Sequence, residues 1–144
     1  MSSREFKIYG YRWVVLLAFM SIIALNQLLW ITFAAITTDA MGFYGVSDLG
    51  IGLLSLIFMV VYIFVSFPAS WAIDTHGVRV GVGIGAALTG IFGLLRGLWA
   101  SDYTWVLIAQ IGIAVGQPFI LNAITTIAAR WFPAGERATA SGLG

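Results

Sequence analysis

The chain has 144 residues, of which 60% are apolar and 9% charged, and its net charge is +1. So little polar surface cannot cover an apolar core of this size, which excludes an ordinary soluble domain. With no cysteine there can be no disulfide, thiolate metal site or cysteine nucleophile, and the basic residues are too few and scattered for nucleic acid.

A hydrocarbon layer about 30 Å thick needs roughly 20 apolar residues as a helix. Four stretches meet that requirement: 13–38, 49–73, 80–99 and 105–129. The chain therefore reads as an all-α membrane protein. The first stretch is too long for the apolar part of a signal peptide and has no small-x-small cleavage site after it, so it is expected to remain as a helix. Residues 39–48, the polar break Ser70–Arg79 and residues 100–103 separate the spans. After the fourth, Pro133 and Gly135 break the helix and Glu136 sits at the start of a fifth run, favourably placed against its dipole. That run is too short to cross a bilayer before Gly144, so residues 1–144 are expected to form an incomplete amino-terminal part of a larger bundle.

If the helices alternate in direction, Arg4, Lys7, Arg12, Arg79, Arg130 and Arg137 share one side, while Asp39, Asp48 and Asp102 share the other with Arg96. The bias of basic residues toward the cytoplasm then places the amino terminus and the Ser70–Arg79 break inside the cell. Tyr9, Tyr11, Trp13, Trp99, Tyr103, Trp105 and Trp131 fall at span ends, as an aromatic belt does. Gly77, Gly81 and Gly85 are four apart, and Gly112 and Gly116 repeat the spacing, which suits close helix packing. Gly81-Val-Gly83-Ile-Gly85 has a superficial likeness to a dinucleotide fingerprint, but no strand precedes it and no soluble βαβ unit surrounds it.

Polar groups at membrane depth are costly unless paired, so each one is a functional candidate. Asn26 and Gln27 lie near the middle of the first span with Trp30 one turn outward, and Asn26, Trp30 and Phe33 share a face. Gln117 lies near the middle of the fourth span with Gln110 two turns outward, and Pro118 is expected to bend the helix beside it. Each has a plain alternative: packing for Trp30, bonds to neighbouring helices for Asn26 and Gln117, while Arg96 is expected to snorkel to the interface. His76 reads as a loop residue in a solvated or gate-side role, with no metal partners in sequence. No motif for a nucleophile, paired catalytic carboxylates or a phosphate cradle is present, so neither enzymatic activity nor a metal or cofactor is expected.

The break Ser70-Trp-Ala-Ile-Asp74-Thr-His76-Gly77-Val-Arg79 resembles the signature loop between the second and third helices of the major facilitator superfamily, G-x-x-x-D-R/K-x-G-R/K-R/K. Asp74, Gly77 and Arg79 match it; Ser70, Thr75 and Val78 depart from it. More of the chain is similar to the feline leukaemia virus subgroup C receptor family of choline, ethanolamine and haem carriers. The resembling segments are Arg12-Trp-Val-Val-Leu-Leu, Phe43-Tyr44-Gly45-Val46, Phe67-Pro68-Ala69-Ser-Trp71, Gln117-x-Phe119-Ile120-Leu121 and Trp131-Phe132. The tail from Trp131 to Ala140 is equally similar to prokaryotic facilitators of organic anions and drugs.

This resemblance implies the amino-terminal part of a twelve-helix secondary carrier in the plasma membrane, working by alternating access with helices that follow this chain. It also implies that Trp30 and Gln117, joined here by Asn26 on the depth argument, bind a small organic substrate, and that Asp74, Gly77 and Arg79 form a gate. An indole face attracts a desolvated quaternary ammonium by about 2 kcal/mol, roughly 30-fold in affinity. Where many proton-coupled relatives carry an arginine in helix four, this chain has Gln110. An organic anion or drug as substrate, and a non-transporting membrane scaffold, remain as alternative readings.

Overall fold

A computed structural model describes residues 8–144; Arg4 and Lys7, counted above in the charge bias, lie outside the described residues. The order of elements is α1 (Arg12–Ala35), α2 (Thr37–Tyr44), α3 (Asp48–His76), α4 (Val78–Leu98), α5 (Tyr103–Leu121), α6 (Ile124–Trp131), a single 3-10 turn (Ala134–Glu136) and α7 (Arg137–Leu143). Among the described residues, 4 helical stretches are long and apolar enough to cross a membrane, α5 and α6 together making one of them.

Span ends differ from the expected ones for local reasons. The first stops at Ala35 instead of residue 38, because the Thr37 hydroxyl donates to the Phe33 and Ala34 carbonyls and offers the backbone a competing partner. Residues 39–44, expected as part of a connection, fall in α2 together with Thr37 and Thr38, and the helix is closed by Gly45 in the left-handed conformation (φ 64°). Ser47 caps α3 by accepting from Gly50 N, and α3 then runs to His76, so Asp74 and His76 belong to its last turn and not to a loop. Gly77, at φ 93°, is the one residue between α3 and α4. Asp102 caps α5 through Thr104 N at 2.8 Å.

Span four is interrupted at Asn122 and Ala123, one turn beyond Pro118, and not at Gln117. There Asn122 N bonds to Pro118 O while Ala123 N turns back to Ile120 O, the tighter pattern of a turn. Glu136 does precede a new helix, and it reaches back to Arg12 with an N–O separation of 2.9 Å. Arg137 donates to the carbonyls of Ala129 and Phe132, satisfying the end of α6.

α5 is the centre of the bundle: 56% of its most apolar window is buried, against 17–22% for the other spans. Its contact with α4 is tight. A Cβ on Gly116 would stand 2.9 Å from Gly85 O, and one on Gly85 the same distance from Gly116 O. The packing role expected of these two glycines is therefore real, whereas Gly83 and Gly97 have open space beside them. Large side chains such as Phe64 and Phe67 (74% and 82% exposed) face outward, as lipid-facing residues do.

Candidate functional site

α1, α3 and α5 border an open concavity of about 480 Å³ lined by Gln27, Trp30, Phe58, Tyr62 and Gln117, among others. Trp30 and Gln117, selected from sequence on depth, thus line one space. The Trp30 indole N–H donates to Ser55 O at 3.0 Å, and Ser55 Oγ returns a 3.5 Å contact to Trp30 O. These bonds anchor the ring edge, and the Phe58 ring lies 6.3 Å away, tilted by 37°. Gln117 Nε2 donates to Gln27 Oε1 at 2.8 Å, so the two amides hold each other across the α1–α5 contact.

Asn26 is elsewhere. Only 2% exposed, it donates through Nδ2 to Thr89 Oγ1 on α4 at 3.0 Å, and it is not among the residues lining the concavity. Its spacing from Trp30 is helical, but one face of α1 meets two neighbours: Asn26 touches α4 where Trp30 touches α3. Sequence reasoning passed over Tyr62 and Phe58. A signal existed in α3, where Ser55, Tyr62, Ser66 and Ser70 mark a polar stripe through an otherwise apolar span.

Arg96 does not snorkel. Its Nη1 donates to Leu29 O at 2.8 Å and to Gln110 Oε1 at 2.9 Å, Nη2 lies 3.4 Å from Thr32 Oγ1, and the guanidinium sits 5.3 Å from the Phe33 ring centre. Gln110, fully buried, donates through Nε2 to Leu54 O on α3 at 3.0 Å. A circuit of hydrogen bonds therefore joins all four spans: Trp30 to Ser55, Leu54 to Gln110, Gln110 to Arg96, and Arg96 to Leu29. Nearby, burial pushes the Tyr44 phenol up against the lowering pull of Arg96, and its hydroxyl donates to Ala100 O.

At the other end, Asp74 and Arg79 are both exposed and form no ion pair with each other. A larger groove of about 980 Å³ opens there, with Arg79, Arg130, His76 and Gly77 at its polar parts and Phe19, Ile22 and Ile127 along its apolar wall. It is the bigger space, and α1, α4 and α6 line it, but it lacks the paired amides that distinguish the smaller one.

The sequence profile of the Major Facilitator Superfamily matches residues 7–144. The chain is 34% identical over 147 aligned positions to the choline/ethanolamine transporter flvcr2b of Danio rerio, covering 97% of this chain and 29% of that protein. It is 36% identical to the choline/ethanolamine transporter FLVCR1 of Felis catus (90% and 23% covered) and 30% identical to solute carrier family 49 member A3 of Xenopus tropicalis (95% and 30% covered). The chain thus spans less than a third of the length of these relatives.

Proposed function

The chain belongs to the Major Facilitator Superfamily, and on that premise we propose that it supplies one wall of the substrate site of a carrier for a small organic amine of the choline and ethanolamine class. It is an integral membrane protein of a transporter family, and relatives that match it along most of its length are named for those two amines. The observation that carries the reading is the meeting of Trp30 and Gln117 in one concavity with Phe58 and Tyr62. Aromatic faces attract an ammonium group, and amides can bond a hydroxyl without adding charge.

Among the described residues no basic side chain lines that space, and Arg96 is spent on neutral partners, which argues against an organic anion. In this reading the rest of the site comes from other helices of a longer carrier, which rocks between inward- and outward-open states about the midplane. The carrier lies in the plasma membrane with its amino terminus in the cytoplasm, a side favoured by the grouping of Arg12, Arg79, Arg130 and Arg137 away from Asp39, Asp48 and Asp102. Asp74, Gly77 and Arg79 stand at its cytoplasmic gate.

The test is uptake of labelled choline by the carrier containing this chain. Trp30→Ala is expected to lower affinity roughly 30-fold, the value of a desolvated cation–π contact, and Trp30→Phe to recover part of it. Wild-type uptake by both variants would remove the amine reading.

A further inference from the structure

The Asn122 amide in the interruption of span four is oriented by its partners. Its Nδ2 lies 3.3 Å from Ser66 O, 3.0 Å from Ser66 Oγ and 2.9 Å from Ser70 Oγ. A carbonyl can only accept, so the nitrogen must face Ser66, and turning the amide over would set two acceptors against each other. The amide oxygen is then the atom 2.7 Å from the Tyr62 hydroxyl. It cannot donate, so Tyr62 does. The single phenolic proton is committed to Asn122, and the Tyr62 oxygen is left with lone pairs alone, on a residue that lines the same concavity as Trp30 and Gln117.

We propose that Tyr62 is a specificity-determining residue of the site: its oxygen, locked as an acceptor by Asn122, accepts a hydrogen bond from the N–H of a primary, secondary or tertiary ammonium and offers a quaternary ammonium no such bond. Asn122 is the positioning residue. The inference rests on the amine reading above and deepens it, since it separates two substrates that cation–π attraction alone would treat alike.

The experiment measures uptake of ethanolamine, its N-methyl and N,N-dimethyl derivatives and choline by wild type and Tyr62→Phe in the carrier containing this chain, normalised to protein in the membrane. Loss of a hydrogen bond from a charged donor is expected to raise KM roughly tenfold for the three amines that keep an N–H. Choline should change by less than about twofold, because it has no N–H to lose a partner. A uniform loss across the series would assign the Tyr62 contact to the shared hydroxyl or to packing, and no change in any would remove the contact; either overturns the inference while leaving the amine site standing. A wild-type carrier that transports none of the four overturns both readings together.

Discussion

Arg96 is a cation placed among neutral partners, and its surroundings explain how the bundle tolerates it. Two carbonyl-type oxygens within 3 Å, the Leu29 backbone and the Gln110 amide, take its protons, and the Phe33 ring faces it. Removing one partner is therefore worse than removing both. Gln110→Leu would leave a desolvated guanidinium short of an acceptor, and Arg96→Met would leave the fully buried Gln110 oxygen unpaired, each costing about 1–3 kcal/mol. The double variant is expected to lose clearly less than the sum, read as thermal unfolding of the purified protein in detergent in a double-mutant cycle. Additive losses would mean that the pair does not act as a unit. That Arg96 turns inward was not legible in its position near a span end. Its length permits either course, and the choice depends on Gln110 arriving from another span. Trp30 and Gln117 were legible because depth alone brings them level, whereas Asn26, at a similar depth, was lost to the neighbour on the other side of its helix.

At the level of elements, hydropathy located all four spans, since the cost of unpaired backbone in lipid leaves helices as the only open course. Their ends were harder to read. Polarity at residues 74–76 suggested a loop, but polar residues at a span end can stay helical in the interfacial region, and only Gly77 has a conformation that stops α3. Pro118 suggested a bend beside Gln117; α5 runs on to Leu121 and the ladder gives way at Asn122, where the side chain's bonds to α3 hold the turn. Glycine spacing was a better guide, because four-residue repeats record which helix face must be smooth. The α4–α5 crossing is the place where that matters most. Gly116→Val would force atoms into a gap where even a Cβ lies 2.9 Å from Gly85 O, at a cost of about 1–3 kcal/mol for overpacking. A lowered unfolding temperature is expected for Gly116→Val and not for Gly97→Val, which has open space. Equal shifts would show that helix propensity, and not the crossing, sets the penalty.

Over the whole molecule the two ends differ in kind. One is closed by aromatic packing and backbone bonds around Tyr44, Tyr103 and Val106. The other gathers Arg12, Arg79, Arg130 and Arg137, pairs Arg12 with Glu136, and leaves Asp74 exposed with no ion-pair partner among the described residues. An acid held at the end of a rigid span, one residue-link from the next, is placed to meet a group outside this bundle. We take its partner to be a helix amino terminus elsewhere in the longer carrier, in contact when the cytoplasmic side is shut. Such a contact is worth about 1 kcal/mol at an exposed site, roughly fivefold in the balance of inward- and outward-open states. Asp74→Asn should then slow uptake several-fold, while substrate affinity measured on purified carrier changes little, because Asp74 does not line the proposed substrate concavity. The same cells can check the sidedness on which this depends: a cysteine at position 76 of this cysteine-free stretch should react with an impermeant maleimide only after the membrane is opened. Uptake at the wild-type rate, or labelling of intact cells, would remove Asp74 from the cytoplasmic gate.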